Sequence, residues 1–403
     1  MGFDSVPRPS QTGLTRRLLS ASLIISAVGL SVLAGLSWVD LDPAAIDAAA
    51  EPIEDRSSRH LSAGRGCGLT AVSTPTGCRA HPRVAVREVE VGITSSLVSK
   101  GIGTLLGTMS VPDGLEGPRP AVLLVGGSGP TDRDAMMDGD LVTRLSEPFG
   151  LFKALADHLA LQGLVVLRYD KRSCAACYGR RVDWESFEFS DYVTDARDAV
   201  EWLSGRPEVD PRAIVIVGHS QGGQLAPLIA SGDDRIAGVV MLAGTSQTLN
   251  AVSIEQLERA ETLRRAQWDL FGAWSLRAMI SRYSECSGRL EGPAYDPEER
   301  CVAPTISQRQ VRRFDDLVAG IPDALTSLEC PVMALQGTVD LNVHPGQVET
   351  YRQIMAGRDA EFHLVRGVDH CMTNALSPAT PPRVDGEVLE RVSAFLASIP
   401  KRP

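Results

Sequence analysis

The sequence predicts an α/β protein in which helices cover both faces of an open, mostly parallel sheet. Two patterns predict it. Short, continuously apolar runs of the buried-strand type recur along residues 86–399 of the 403-residue chain, and segments with helical spacing of apolar residues lie between them. Because such alternation joins neighbouring parallel strands through helical crossovers, we expect one α/β domain over residues 86–399.

The elements follow one another in a regular order. Residues 86–91 alternate as a half-buried strand, and residues 104–111 form its predicted hairpin partner before a Pro-Asp-Gly turn. The predicted buried strands lie at residues 121–125, 165–169, 213–217, 239–243, 332–336 and 362–365. The predicted helices include residues 152–161, 193–203 and 388–399. Residues 246–328 interrupt this rhythm with long helical stretches and no strand pattern, which predicts a helical lid inserted into the domain.

The N-terminal part of the chain predicts export. Residues 18–39 carry no charge, and three arginines precede them; about 20 apolar residues can span a bilayer as a helix. The segment is interpreted either as a membrane anchor, with residues 1–17 in the cytoplasm, or as a cleaved signal sequence. In both cases the domain lies outside the cytoplasm, anchored to the membrane or secreted or periplasmic. Residues 40–85, rich in small residues and proline, are predicted to be a linker.

The charge balance excludes one class of partner. The chain has 40 Lys and Arg against 50 Asp and Glu, a net charge of -10, so a nucleic-acid partner is not expected.

Four aspartates cluster at positions 132, 134, 138 and 140. Their spacing fits no calcium-binding loop, which favours a solvated acidic loop over a metal site.

A nucleophile motif follows one of the predicted buried strands. Residues 218–222 read Gly-His-Ser-Gln-Gly, and a helical pattern follows them. This is the G-x-S-x-G motif in the strand–turn–helix context that it requires. Glycine is needed on both sides because the turn brings backbone segments into close approach. Ser220 is therefore the predicted nucleophile.

A serine hydroxyl needs a base, and the base needs an acid that orients it. His370 follows the predicted strand at residues 362–365, and Asp340 follows the strand at residues 332–336. Because parallel strands end at one edge of a sheet, we expect both beside Ser220. His344 is a weaker candidate for the base and Asp369 for the acid, while His363, inside a strand, is expected to be structural.

Two backbone N–H groups are expected to bind the oxyanion. One is that of Gln221, which opens the helix after the nucleophile. The other is expected from the loop after the first parallel strand, where the glycines around residue 128 allow an N–H to turn inward. Ser128 is the predicted donor, with Gly127 as the alternative.

The cysteines depend on the compartment. In an oxidising compartment, Cys67 with Cys78 and Cys286 with Cys301 are plausible local pairs. Cys174 and Cys177 have thioredoxin spacing without the thioredoxin context, so we expect a tight disulfide or two thiols rather than redox catalysis.

These motifs resemble the α/β-hydrolase superfamily over roughly residues 86–399. Three segments, at residues 127–134, 167–172 and 218–222, are similar to those of bacterial carboxylesterases near the dienelactone hydrolase, serine aminopeptidase and prolyl-oligopeptidase-like groups. The resemblance implies hydrolysis of esters or amides through an acyl-enzyme, without a metal or organic cofactor. Two departures stand out: Gly126 replaces the histidine of many relatives, and residues 173–177 replace a glycine-rich continuation.

The expected function is hydrolysis of small-molecule carboxylic esters by Ser220, Asp340 and His370. A serine peptidase or aminopeptidase with the same three residues is the nearest alternative; it needs an acidic anchor for a substrate amine, for which the aspartate cluster is the candidate. A membrane-tethered binding module without catalysis is the alternative from another class.

Overall fold

The computed structural model describes residues 71–74, 77–80, 85–139, 144–266, 268–300 and 306–400. Its twelve strands in these residues are β1 Ala71–Thr74, β2 Gly77–Ala80, β3 Val86–Thr94, β4 Thr104–Pro112, β5 Arg119–Val125, β6 Met136–Gly139, β7 Arg144–Gly150, β8 Val165–Tyr169, β9 Val209–His219, β10 Ile236–Leu242, β11 Val332–Gly337 and β12 Ala360–Val365. Its helices are α1 Leu151–Ala160, α2 Ala175–Tyr178, α3 Ser190–Ser204, α4 Gln221–Ala230, α5 Leu249–Ala266, α6 Leu270–Arg289, α7 Gln308–Ala319, α8 Ile321–Ser327, α9 Gln347–Ile354 and α10 Gly386–Ser398.

Eight strands form the central sheet, in the spatial order β3-β4-β8-β5-β9-β10-β11-β12. The pairs β3–β4 and β4–β8 are antiparallel, and the six strands from β8 to β12 are parallel to one another. The predicted fold class, a mostly parallel α/β sheet, is therefore confirmed. The chain reverses its direction of travel at β5, since β8 lies on one side of β5 and β9 on the other.

The two faces of the sheet are covered by different helices. Successive residues of a strand point to opposite faces, so Val122 and Leu124 of β5 pack with α1 and α10, whereas Leu123 packs with α3 and α4. All of β5 and β8 except the first residue of β5 is buried. This is why these strands are continuously apolar in sequence while β3, at the edge, alternates.

The segment between β10 and β11 is helical in the described residues, with α5 to α8 following one another. It touches the loop after β11: the Gln256 side chain donates to the Asn342 carbonyl at 2.8 Å, and Arg259 donates to the Leu341 carbonyl at 2.8 Å. The first of these helices thus lies beside the loop that carries Asp340.

The export segment at residues 18–39 lies outside the described residues, as does Cys67. In the described part of the chain, no helix is both long enough and apolar enough to cross a bilayer. Within the predicted linker, β1 and β2 pair as a short antiparallel hairpin.

Cys174 and Cys177 form a disulfide. Cys286 is also disulfide-bonded, and Cys301 lies outside the described residues.

Candidate active site

Ser220 stands on a sharp turn between β9 and α4. Its backbone has φ 54° and ψ −119°, a conformation that a non-glycine residue adopts only when its surroundings enforce it. The flanking glycines explain how the turn fits. A Cβ at Gly222 would lie 2.0 Å from the Val125 carbonyl oxygen, and one at Gly218 would lie 2.2 Å from the Gly222 carbonyl oxygen. The motif spacing is therefore a packing requirement of the turn.

Gly222→Ala is expected to lower the free energy of unfolding by about 3 kcal/mol or more, because its methyl group collides with backbone that cannot move aside. Urea denaturation measures this change. Gly288→Ala is the matched control, since Gly288 lies in α6 with open space around its Cα, and alanine favours a helix. An unfolding free energy of Gly222→Ala within about 1 kcal/mol of the native value contradicts the packing argument.

Ser220, His370 and Asp340 lie in hydrogen-bonding sequence. His370 Nε2 is 3.1 Å from Ser220 Oγ, and His370 Nδ1 is 2.8 Å from Asp340 Oδ2. Ser220 follows β9, Asp340 follows β11, and His370 follows β12, so three strand ends at one edge of the sheet supply the three side chains. This arrangement can move a proton from the hydroxyl to the imidazole while the carboxylate stabilises the resulting imidazolium.

Asp340 is held in place by its own loop. Its Oδ1 accepts hydrogen bonds from the Asn342 N–H at 2.8 Å and the Val343 N–H at 2.9 Å. Its Oδ2, the oxygen that faces His370, also accepts one from Gln336 Nε2 at 2.9 Å. Four donors therefore surround a carboxylate that is 1% exposed, which fixes the direction in which it faces the imidazole. The sequence analysis did not identify Gln336.

His219, the residue before the nucleophile, supports His370 from behind. Its Nε2 lies 2.8 Å from the His370 carbonyl oxygen, and the two rings are 4.9 Å apart between centroids. Burial, with a further contribution from the neighbouring His370, lowers the pKa of His219 to about 3. His219 is thus neutral at physiological pH, and Nε2 carries the proton that it donates to the carbonyl.

The other candidate residues lie elsewhere. His344 is exposed, and its Nδ1 accepts the Gly346 N–H at 3.0 Å. His363 lies in β12, with its Nε2 3.0 Å from Glu361. The Asp369 carboxylate accepts hydrogen bonds from the backbone and side chain of Thr373. The structure therefore gives each of these three residues a partner other than Ser220, and Asp340 is the carboxylate that it places at His370 Nδ1.

The loop after β5, residues 126–135 and here called the oxyanion loop, lies against the nucleophile. A Cβ at Gly127 would be 3.2 Å from Ser220 Cβ, and both Gly127 and Ser128 line the cavity into which Ser220 opens. Gln221 is the first residue of α4, so its N–H has no acceptor within the helix. The predicted oxyanion donors thus come from two segments that meet at Ser220.

A partly buried ion pair holds this loop in place. The Asp170 carboxylate accepts hydrogen bonds from the Arg133 backbone at 2.7 Å and from the Arg133 guanidinium at 2.7 Å. Next to it, Arg172 pairs with Asp195 of α3, so the loop after β8 ties the oxyanion loop to the helix layer. The sequence analysis used residues 167–172 only as a family resemblance and assigned them no contact.

The aspartates of the predicted acidic loop separate in the structure. Asp134 pairs with Arg168 at 2.7 Å, whereas Asp132 lines the cavity and accepts the Met136 N–H at 3.1 Å. Burial raises the pKa of Asp132. The Asp138 side chain and Asp140 lie outside the described residues.

The cavity beside Ser220 has a volume of about 420 Å³, enough for a small organic molecule. Its wall is formed by residues from the oxyanion loop, the β6 strand, the disulfide loop and the loops that carry the triad: Gly127, Ser128, Pro130, Thr131, Asp132, Met136, Met137, Cys174, Ala176, Cys177, His219, Ser220, Asn342, His370 and Cys371. The Cys174–Cys177 disulfide therefore forms part of the cavity wall.

Comparison with known proteins assigns the chain to a family. The family model described as serine aminopeptidase, S33, matches residues 141–376, more than half of the chain. The chain belongs to the S33 serine aminopeptidase family. This family assignment agrees with the α/β-hydrolase superfamily that the sequence motifs resembled, and the family model spans both Ser220 and His370.

The individual relatives share less than a third of their aligned residues with this chain. Esterase EstD of Thermotoga maritima is 27% identical over 304 residues, which are 73% of this chain and 66% of EstD, slightly less than two thirds of its length. Among solved structures, Est1E from Butyrivibrio proteoclasticus is 17% identical, with 76% of this chain and 97% of Est1E covered and a TM-score of 0.48. A 2,6-dihydroxy-pseudo-oxynicotine hydrolase is 17% identical, with coverages of 77% and 68% and a TM-score of 0.48.

Proposed function

We propose that this S33 family member hydrolyses small carboxylic esters through an acyl-enzyme on Ser220. The observation that carries the proposal is the Ser220–His370–Asp340 sequence of hydrogen bonds, 3.1 and 2.8 Å long, at the wall of a cavity of about 420 Å³. The similarity to an esterase supports the choice of ester over amide substrates.

In the first half of the reaction, Ser220 Oγ attacks the ester carbonyl carbon while His370 Nε2 accepts the hydroxyl proton. Asp340 stabilises the imidazolium through Nδ1, and the backbone N–H groups of Gln221 and Ser128 bind the oxyanion. Collapse of the tetrahedral intermediate breaks the bond to the alcohol oxygen, which takes the proton from His370. The alcohol leaves, and the acyl group stays on Ser220.

In the second half, a water molecule replaces the alcohol. His370 accepts a proton from the water as its oxygen attacks the acyl carbon, and the same two N–H groups bind the new oxyanion. His370 then returns the proton to Ser220 Oγ as the carboxylic acid leaves. Because its pKa is lowered to about 3, the His219 side chain stays neutral. It therefore places no second positive charge beside His370 when His370 is protonated.

The residues of the cavity wall indicate which groups of a substrate they can contact. Pro130, Met136 and Met137 supply apolar surface, and methionine adapts to ligands of different shape. The loop after β11, which α5 contacts, contributes Asn342 to the cavity wall. We therefore propose that the substrate enters beside α5, with an apolar group against β6.

Asp132 supports a second candidate function. Its carboxylate lines the same cavity as Ser220, where an ionised carboxylate can bind the free α-amine of a peptide substrate. On this alternative the enzyme is an aminopeptidase with the same catalytic residues. The two functions share a mechanism and differ in the leaving group and in the role of Asp132.

Labelling and kinetics of the full chain test the proposal. We expect a fluorophosphonate probe to label Ser220, and p-nitrophenyl acetate and butyrate to be hydrolysed with a burst of nitrophenol when acylation outruns deacylation. Aminoacyl p-nitroanilides are the comparison substrates. Turnover of the anilides without the esters supports the aminopeptidase, and folded protein that neither reacts with the probe nor turns over either substrate contradicts both functions.

A further inference from the structure

Lys171 lies on the buried side of the oxyanion loop. It follows β8 and is 4% exposed. Its Nζ donates to the Gly127 carbonyl oxygen at 2.5 Å and to the Gln221 side-chain oxygen at 3.0 Å. Within the described residues both acceptors are neutral oxygens, so the ammonium group is held by the two segments that carry the oxyanion donors rather than by a carboxylate.

The geometry of a peptide unit gives the first of these bonds a consequence. In a planar trans peptide the C=O of one residue and the N–H of the next point in opposite directions. A hydrogen bond to the Gly127 oxygen from the buried side therefore turns the Ser128 N–H away from Lys171. Gly127 and Ser128 both line the cavity that contains Ser220. Donation to the carbonyl also polarises the peptide and strengthens its N–H as a donor.

We propose that Lys171 is a positioning residue for the reaction, holding the Gly127–Ser128 peptide so that its N–H faces the developing oxyanion. This rests on the proposed serine hydrolysis and specifies how its oxyanion site is kept in order. The backbone of Lys171 is itself tied to the same loop, because its N–H donates to the Thr131 carbonyl at 3.1 Å. The Thr131 hydroxyl in turn lies 3.3 Å from the Gly127 oxygen.

The charge on Lys171 is sensitive to pH. Its Nζ lies 3.8 Å from the centroid of the Tyr192 ring, whose face stabilises a cation. Asp195, which also favours the charged form, is itself paired with Arg172. Burial outweighs these effects and lowers the pKa of Lys171 to about 7. The ammonium is thus present below that pH and lost above it, where the weaker neutral donor remains.

Lys171→Met tests the proposal, since methionine keeps the length and apolar stem of the side chain. We expect kcat on p-nitrophenyl butyrate to fall about 100-fold, as when one oxyanion donor is removed, with KM changed less than about threefold. A boronic acid that forms a tetrahedral adduct with Ser220 is expected to bind more weakly by a similar factor. Lys153→Met, which removes a surface ammonium paired with Asp157 in α1, is the matched control and is expected to leave all three values unchanged.

The wild-type pH profile gives a second readout that needs no variant. We expect kcat/KM to show an alkaline limb with a pKa of about 7, and folded Lys171→Met to lack it. If folded Lys171→Met keeps both kcat and the affinity for the boronic acid within twofold of the wild-type values, Lys171 does not position the oxyanion site. These results leave the proposed function intact, whereas a wild type without esterase activity or probe labelling removes the proposed function itself.

Discussion

Ser220→Ala is expected to lower kcat on p-nitrophenyl butyrate by about 10⁶-fold, with little change in KM. The alanine removes the only atom that can bond to the acyl carbon in the proposed mechanism, and knocking out such a nucleophile costs about that factor in other triads. The turn itself is expected to persist, because φ 54° at residue 220 is enforced by the surrounding backbone rather than by the hydroxyl. Probe labelling is expected to disappear together with activity.

Ser327→Ala provides the control for this variant. Ser327 lies in α8 at a different cavity, which Arg212 and Gly232 also line, so its hydroxyl is far from the proposed chemistry. Both proteins are compared by thermal unfolding before kinetics are measured. Retention of more than about 1% of wild-type kcat by folded Ser220→Ala contradicts the acyl-enzyme mechanism and points to a reaction that does not use this serine.

The placement of the three triad residues could be predicted because it depends on local signals. Each follows a recognisable strand, and parallel strands that alternate with helices end at one edge of the sheet. The motif around Ser220 adds a packing constraint that only glycine satisfies at positions 218 and 222. Neither inference requires knowledge of which strands are neighbours.

The supporting contacts could not be predicted because they depend on which strands are neighbours in the sheet. Lys171 meets Gly127 and Gln221 only because β8 lies between β4 and β5 in the sheet while β9 lies on the other side of β5. Alternating strands and helices predict a parallel sheet but leave this spatial order open. Gln336 was missed because a polar residue near the end of a buried strand shows no partner in sequence, although its position four residues before Asp340 is a usable signal.

Asp340→Asn is expected to lower kcat by about 10⁴-fold through the tautomer of His370. The backbone N–H groups of Asn342 and Val343 donate to one oxygen of residue 340, and they are expected to hold the amide oxygen of the asparagine there. Its NH₂ group then faces His370 Nδ1, which must become an acceptor. The ring proton moves to Nε2, which points a donor at Ser220 and cannot accept the hydroxyl proton.

The same substitution carries a stability cost that separates it from a simple loss of charge. Gln336 Nε2 donates to Asp340 Oδ2 at 2.9 Å, so an NH₂ group at that position sets two donors against each other and costs about 1–3 kcal/mol in the free energy of unfolding. Asp233→Asn, at the Arg235 ion pair, is the matched control, with wild-type kcat expected. Kinetics and urea denaturation measure both effects. A kcat within tenfold of wild type would show that Asp340 does not set the tautomer of His370, because an imidazole protonated at Nε2 leaves Ser220 without a base.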